Sequence, residues 1–455
     1  MAAASHGSRG PARGAVFRAG RVSPLRAAWR EYVEAARAFR RPARLFLLST
    51  VIAWAGFGIN QVLFNLYLVE GGFRESFVGR TLSMTGLGLA LTALPAGWLA
   101  DRWGRWRCLV TGIAIDAVAL GARALTIEPG WALATSFAVG VGQALFAIAA
   151  APFLTEHSST RERTHLFSAF FSLELMAIVA GSLLGGALPH GLERVFAGLD
   201  RFHSYRYTLL LGSAIELVGL LPLLALAGLR EEPVRAERAP GGPSAARLLT
   251  PVAGFAFLIG CGAGLVIPFM NLYFKSRFDC TSAQIGVFFS LAQVSTALAA
   301  LFGPPLARRY GRLRTAMASQ FLSLPFLLTL GFERRLEVAV AAFWLRATFM
   351  QASMPLLNTF LMETMPPGLR ARSTSLMNLV WNAGWAVSAT LSGMLIQNFG
   401  YAVPFSVTAV LYLAATLSFW FSFRHVREDA PAPVAGESLV TEEVKGARGQ
   451  PPLAE

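Results

Sequence analysis

Charged side chains are scarce in this sequence of 455 residues, in which Asp, Glu, Lys and Arg make up 15% and hydrophobic residues 54%. Soluble proteins keep about a quarter of their residues charged, so the composition predicts a membrane protein. Lysine is nearly absent, since 38 of the 40 basic residues are Arg. These arginines alternate with apolar stretches, and the net charge of +14 therefore does not indicate nucleic-acid binding.

Cysteine is also rare, and Cys108, Cys261 and Cys280 show no disulfide framework and no metal spacing. No phosphate-binding loop, catalytic constellation or nucleophile motif is found. We expect neither an enzyme nor an ATP-driven pump, and we expect no metal and no cofactor.

Twelve runs of about 20 mostly apolar residues are each long enough to cross a bilayer. They cover 45–69, 78–100, 108–126, 131–154, 165–190, 206–229, 248–274, 283–306, 315–332, 337–361, 374–398 and 401–423. The one long internal break, 230–247, is rich in Arg, Glu, Pro and Gly. We therefore predict an all-α membrane protein of twelve transmembrane helices in two six-helix bundles, 45–229 and 248–424, joined by a cytoplasmic linker.

The two predicted bundles share a sequence repeat at a distance of about 207 positions. In each half, Asn-Leu-Tyr (65–67 and 271–273) precedes a polar loop, an apolar run and a basic segment (99–107 and 306–314). A repeat of this length indicates duplication, and in membrane proteins such halves usually hold a solute site between them.

The arginines also predict the orientation, because cytoplasmic loops carry more Lys and Arg. The two tails and the even-numbered loops hold 29 of the 40 basic residues, which places both termini in the cytoplasm. The basic tail, 1–44, either contacts anionic lipid, which we favour, or begins with an organelle transit peptide. Residues 24–41 favour a surface helix, and the tail 425–455 is typical of disorder. We predict a multi-pass protein of a bacterial inner membrane.

The segment that closes the second run has a characteristic pattern. It fits the pattern G-x-L-[AS]-D-[RK]-x-G-[RK]-[RK] at positions that include Gly97, Leu99, Asp101, Arg102, Gly104 and Arg105. This resembles the signature loop of the major facilitator superfamily, with Trp106 at a position that is usually basic. The resemblance, over 45–424, implies that the loop locks the cytoplasmic side shut and opens during transport. A turn with topogenic arginines is the simpler alternative.

Two residues of this loop have an expected structural role. Gly97 is expected to let another helix approach closely. Asp101 is expected to face a helix N-terminus of the opposite bundle.

A glycine-rich segment in the fifth run, 180–186, resembles a motif of the superfamily's antiporters, with Ser182 in place of proline. Gly181, Gly185 and Gly186 are expected to let the fifth helix pack closely against the eighth. Generic packing of small residues explains them equally well.

Five ionisable residues lie inside the predicted spans, where charge is costly: Asp116, Arg123, Glu174, Glu216 and Arg346. The resemblance implies that spans one, four, seven and ten line the cavity, which assigns Arg346 to it. Glu174 is the main candidate for proton coupling, and Asp116 is a second candidate. Asp116 and Glu216 otherwise have a structural role within their own bundle. The neutral candidates for the cavity are Asn60, Gln61, Asn65, Asn271, Gln351 and Asn382.

We therefore expect a monomeric secondary transporter that contacts the lipid bilayer, a small-molecule substrate and protons. The first hypothesis, from the resemblance to drug-efflux members, is proton-coupled export of a small organic solute. The alternative is uptake of a nutrient or metabolite by a symporter or uniporter. A membrane sensor or assembly factor that transports nothing is a third possibility.

Overall fold

The computed structural model describes residues 39–228 and 243–426, which form fourteen α-helices and one 3₁₀ turn within these two ranges. The chain is an all-α membrane protein, as predicted. The predicted surface helix 24–41, most of the linker 230–247 and nearly all of both tails lie outside the described residues.

The first half contains seven of these helices. They are α1 (Arg41–Glu70), α2 (Glu75–Trp103), α3 (Arg105–Leu125), α4 (Pro129–Glu156), α5 (Thr160–Val195), α6 (Arg201–Val218) and the short α7 (Leu220–Leu224). Residues 201–224 therefore cross the molecule as two helical pieces interrupted at Gly219. An added side chain at Gly219 would come within 3.1 Å of Ala53, so α1 packs directly against this break.

The second half repeats this arrangement. Its helices are α8 (Pro243–Val266), α9 (Met270–Phe278), α10 (Ser282–Tyr310), α11 (Arg312–Phe332), α12 (Leu336–Thr364), α13 (Pro367–Phe399) and α14 (Ala402–Phe423). A 3₁₀ turn, Ile267–Phe269, separates α8 from α9. Pro268 lies in this turn and cannot donate a backbone hydrogen bond, which is a physical cause of the break between α8 and α9.

Eleven helical segments within the described residues are long and apolar enough to cross a membrane. The predicted tenth run corresponds to α12, which has 29 residues but is not among these eleven. Arg346, Gln351 and Asn358 lie on α12 and lower its hydropathy. The number of twelve crossings is therefore not confirmed by length and composition.

The sequence repeat is also visible in the backbone. Gly104 and Gly311 end α2 and α10 with φ angles of 96° and 89°, a region that disfavours residues with a side chain. The two repeated tyrosines each donate a hydrogen bond to a carbonyl near the end of the third apolar run of their half. Tyr67 bonds to Ala124 O at 3.0 Å and Tyr273 to Leu330 O at 2.7 Å.

Three helix pairs join the halves near the loops that follow the first, fifth and seventh runs. Asn65 Nδ2 of α1 donates to Asn271 Oδ1 of α9 at 3.1 Å. Ser282 Oγ of α10 donates to Gly186 O of α5 at 2.9 Å. The start of α2 meets the end of α13, where Thr390 Oγ1 donates to Ser83 Oγ at 2.7 Å. These contacts close one end of the interface between the halves.

Candidate functional site

A cavity of about 290 Å³ lies between the two halves, beyond the contacts that close this end. Its wall is formed by α1 to α4 from the first half and by the α8–α9 junction, α10 and α13 from the second. The polar and tryptophan residues of this wall are Asn60, Gln61, Asn65, Thr85, Arg123, Gln143, Asn271, Trp381, Asn382 and Trp385. We refer to it as the central cavity.

The predicted cavity residues divide into two groups. Asn60, Gln61, Asn271 and Asn382 line the central cavity. Arg346 and Gln351, which the resemblance also assigned to it, do not belong to its wall.

In this structure the side chain of Arg346 points into its own bundle. It is 5% exposed and lies close to Tyr412 of α14, so its assignment to the cavity stays a prediction without a contact to support it. Gln351 is exposed on another face of α12. The helix was assigned correctly to the second bundle, but its rotation about its axis determines which side chains reach the cavity.

Among the residues that the structure describes, Arg123 is the only charged one in the central cavity's wall. Its guanidinium carbon lies 3.5 Å from the centroid of the Phe64 ring, and its Nη2 donates to Asn60 Oδ1 at 3.5 Å. The sequence identified Arg123 as a buried charge but gave no sign that it faces the cavity. The flat guanidinium is held against an aromatic ring, which orients its remaining donors.

A smaller cavity, of about 170 Å³, lies inside the first bundle and is called the side cavity here. Asp116 of α3, Gln143 of α4 and Glu216 of α6 supply its polar wall. Asp116 and Glu216 are 7% and 3% exposed, so both carboxyl groups are buried against this cavity. The sequence did not single out Gln143, since a glutamine among apolar residues carries no signal of its contacts.

The two cavities share part of their walls. Phe57, Leu89 and Gln143 line both of them. Electrostatic attraction links Arg123 to both Asp116 and Glu216. The first bundle therefore connects a buried acidic pair to the arginine of the central cavity.

Glu174, the main candidate for proton coupling, lies half-buried on α5 and lines neither the central nor the side cavity. Its role in coupling stays a prediction without a cavity contact to support it.

The signature loop is held within the first bundle. Arg105 Nη1 lies 2.9 Å from Glu156 Oε1 at the end of α4, and its Nη2 lies 3.4 Å from Asp101 Oδ1. Among the described residues, Asp101 contacts Arg105 of its own bundle, and the expected contact with a helix N-terminus of the opposite bundle stays a prediction. Arg102 packs over the ring of Trp98, with its guanidinium carbon 5.3 Å from the ring centroid.

Gly97 makes no close helix contact among the described residues, because an added side chain there would meet no atom of them within 4 Å. The expected close approach of another helix stays a prediction. Leu94 and Trp98, which flank Gly97 in the sequence, are 75% and 60% exposed. The end of α2 that carries the signature loop is therefore open.

The three glycines of the fifth run contact two different helices. An added side chain at Gly186 would lie 2.6 Å from Ser282 O of α10, so this glycine permits contact between the fifth and eighth runs. Gly181 and Gly185 instead pack against α1, at Ala55 and Ile59.

The sequence profile of the Major Facilitator Superfamily matches residues 46–255 and 252–453, and the chain belongs to this family. It is a membrane transporter and not an enzyme. Two curated relatives are the niacin transporter of Acinetobacter baylyi and the 4-hydroxybenzoate transporter of Pseudomonas aeruginosa. The first is 27% identical over 143 residues, 31% of this chain and 32% of the relative. The second is 32% identical over 119 residues, 26% of this chain and 27% of the relative. The match thus spans about a third or less of each relative.

Solved structures agree with the fold. A bacterial homologue of the human lysosomal transporter Spinster, inward-facing and occupied, has a TM-score of 0.70 at 16% identity. The alignment covers 89% of this chain and 99% of that one. The nucleoside transporter NupG has a TM-score of 0.68 at 15% identity, with 84% and 99% covered. None of these names supports the expected resemblance to drug-efflux proteins.

Proposed function

We propose that this transporter carries a small organic acid across a bacterial inner membrane by way of the central cavity. The observation that supports this most is Arg123, a positive charge among described wall residues that are otherwise neutral. A buried cation without a fixed carboxylate in hydrogen-bond contact is costly, and an anionic solute would offset that cost.

The neutral part of the wall suits a planar acid. Trp381 and Trp385 stack with their ring centroids 5.1 Å apart and offer an aromatic surface on the side of the second bundle. Asn60 and Gln61 supply amide groups next to Arg123. A guanidinium binds a carboxylate through two parallel hydrogen bonds, while a ring can pack on the tryptophans. Niacin and 4-hydroxybenzoate, the solutes named for the two relatives, are both aromatic acids.

We further propose that α12 completes twelve crossings and that both termini lie in the cytoplasm. This orientation rests on the basic residues in the tails and even-numbered loops. The closed end of the interface then faces the outside, and the exposed end of α2 at Gly97 faces the cytoplasm, as in an inward-open transporter. Labelling of a cysteine placed in each tail, in intact cells and in inverted vesicles, tests this orientation.

Flux through the purified protein in liposomes tests the transport proposal, with radiolabelled nicotinate and 4-hydroxybenzoate as probes. Arg123→Gln should lower the flux roughly tenfold or more, because it removes the charge that binds the carboxylate. Arg309→Gln is the matched control, since Arg309 is an exposed residue near the end of α10. Flux of neither probe, or equal flux in both variants, would contradict the proposal, whereas robust flux removes the sensor hypothesis.

A further inference from the structure

We propose that the side cavity binds a positively charged nitrogen of the solute, so that the transported acid is a zwitterion whose carboxylate binds Arg123. The inference rests on the proposed function, because it keeps the carboxylate in the central cavity and adds a second charged group to the same molecule. Asp116 and Glu216 then recognise this second group.

Each acid of the side cavity has a buried oxygen without a partner. Asp116 and Glu216 are both buried and both line this cavity. Among the described residues, Oδ1 of Asp116 and Oε2 of Glu216 have no hydrogen-bond partner. A buried acceptor that is left unpaired is costly, and more so when it belongs to a carboxyl group. These two oxygens therefore favour a ligand that supplies positive charge or hydrogen-bond donors.

Three aromatic rings line the side cavity together with the two acids. They belong to Trp54, Phe57 and Phe146. The ring of Trp54 lies edge to face with both phenylalanines, at centroid distances of 5.0 Å to Phe57 and 6.2 Å to Phe146. The faces of aromatic rings attract cations, and cages of such rings bind alkylated ammonium groups. Carboxyl groups and aromatic rings in one wall suit an organic cation.

The same wall is a poor site for an inorganic cation. Among its described side chains, oxygen atoms come from Asp116, Glu216 and Gln143, and the others are aliphatic, aromatic or absent, as in glycine. Ions such as Ca²⁺ and Mg²⁺ require about six or more oxygen ligands. Within the described residues, no group of three or more His, Cys, Asp and Glu is placed to hold a metal ion. An organic nitrogen is therefore the better occupant.

The charges of the first bundle favour a zwitterion over a simple anion. Arg123 attracts both Asp116 and Glu216 electrostatically, so these three groups form one buried cluster. A solute with only a carboxylate adds negative charge to a cluster that already contains two acids. A zwitterion adds no net charge and places each of its charges beside a group of opposite sign, which lowers the cost of charge inside the membrane.

The two cavities adjoin closely enough for one small solute to reach both. Phe57, Leu89 and Gln143 belong to both walls. Asp116 and Arg123 are seven residues apart on α3, which places them on one face and about 10 Å apart along the helix axis. The side cavity, of about 170 Å³, is similar in size to an engineered cavity of roughly 150 Å³ that takes up benzene. A ring or a methylated nitrogen therefore fits there.

Three probes with the same ring test this inference. N-methylnicotinate carries both charges, nicotinate only the negative one and N-methylpyridinium only the positive one. Isothermal titration calorimetry on the purified protein in detergent measures the affinity of each. N-methylnicotinate should bind about tenfold or more tightly than nicotinate, because only the zwitterion engages both cavities. If nicotinate binds as tightly as N-methylnicotinate or more so, the inference is overturned and the proposed function stands.

Amide variants of the acids separate recognition from folding. Asp116→Asn and Glu216→Gln should weaken binding of the two N-methylated probes about tenfold, because a charge opposite to the nitrogen is lost. Binding of nicotinate should stay the same or become tighter, since a nearby negative charge is gone. Glu337→Gln is the matched control, because Glu337 is an exposed acid on α12, and it should change none of the affinities.

A variant of the aromatic wall gives a second test that leaves the acids in place. Trp54→Leu should also weaken the two N-methylated probes and spare nicotinate, because Trp54 lines the side cavity and not the central one. A loss of folding would lower all three affinities, so the selective loss is the decisive result. Equal changes for all three probes, in folded amide variants and in Trp54→Leu, would overturn the inference.

The same titrations separate the nitrogen site from the proposed function. Binding of both N-methylated probes with equal affinity, and of nicotinate not at all, would support the nitrogen site and contradict the role of Arg123. Binding of none of the three probes would overturn both proposals. Nicotinate binding that requires Na⁺ in the wild type and not in Glu216→Gln would assign the side cavity to an inorganic ion, against the inference.

Discussion

The two halves of the molecule share a scaffold but differ in their interiors. At positions 207 apart, Arg105 pairs with Glu156 and Arg312 pairs with Glu363, each at the end that carries the basic loop. Tyr67 and Tyr273 likewise make corresponding hydrogen bonds near the opposite end. Contacts that hold each bundle together have therefore been retained in both copies.

The polar residues inside the two bundles, in contrast, differ between the halves. The position of Asp116 is occupied in the second half by Ser323, and that of Gln143 by Met350. The second bundle is instead joined by neutral contacts, in which Gln320 Nε2 donates to Ser353 Oγ at 3.1 Å and Thr416 Oγ1 donates to Gln320 Oε1 at 2.9 Å. This difference indicates that the first half carries the charge chemistry, while the second half supplies an aromatic and amide wall.

The sharpest test of this contrast removes the buried arginine from each half. Arg123→Leu strands the acidic pair without its cation and should lower the free energy of unfolding by about 3–5 kcal/mol. Arg346→Leu should cost about 1 kcal/mol or less, since Tyr412 is its partner and, among the described residues, no acid influences it. Unfolding by denaturant in mixed micelles measures both. Equal losses would mean that charge is no more important in one interior than in the other.

The second test compares the two ion pairs at the basic loops. Arg105 is buried, and Arg105→Gln should destabilise the protein by about 2 kcal/mol, as expected for a buried charge-assisted hydrogen bond. Arg312 pairs with a half-exposed Glu363, so Arg312→Gln should cost at most about 1 kcal/mol. The same micelle assay, repeated at high salt, should reduce the loss at Arg312 more than that at Arg105. A larger loss at Arg312 would show that burial does not set the strength of these pairs.

The sequence predicted the helices and the two halves better than it predicted the contacts of single side chains. Apolar runs and the repeat at 65–67 and 271–273 predicted the helices and their two halves, because a membrane span is a matter of length and composition. The positive φ angles that Gly104 and Gly311 share also follow from this repeat. Each predicted run overlaps a helix, but the ends differ by several residues, as for the run 374–398 and the helix Pro367–Phe399. The sixth and seventh runs are also interrupted, at Gly219 and near Pro268.

The rotation of each helix could not be predicted in the same way. Lipid is as apolar as a bundle interior, so the hydrophobic pattern does not show which face of a span is buried. The sequence marks Arg346 and Arg123 equally as arginines inside a span and does not show which way each side chain points. In the structure Arg346 faces its own bundle and Arg123 faces the central cavity. The contact between Asp116 and Glu216 joins positions 100 residues apart and has no signature in either segment.

The third test asks whether the shared scaffold is equally strong in both copies. Tyr67→Phe and Tyr273→Phe each remove one buried hydrogen bond to a carbonyl and should cost about 1 kcal/mol each. Because the two hydroxyl groups bond to different helices and share no partner, the double variant should show about the sum of both losses. Strongly unequal losses in the unfolding assay would indicate that the copies have diverged in their scaffold as well.

The smallest expected effect concerns one loop carboxylate from each half. The backbone amide and ring of His203, with Nδ1 2.6 Å from Asp200 Oδ1, lower the pKa of Asp200. The hydrogen bond from Lys275 Nζ, at 2.6 Å, lowers the pKa of Asp279. A lowered pKa means that each carboxylate stabilises the fold above the ordinary Asp value of about 4, and that this contribution is lost as the pH falls through the lowered value.

Asn is the appropriate replacement at both positions, because it can still cap the helix at 201–218 and tolerates the left-handed backbone of Asp279, with φ of 49°. Asp200→Asn and Asp279→Asn should each lower the melting temperature slightly at neutral pH, and the difference from the wild type should vanish in acid. Both carboxylates are exposed, so salt should weaken both effects to a similar extent. A difference that grows on acidification would mean that the charge of these loops opposes the fold, and that the two halves are not matched at this end.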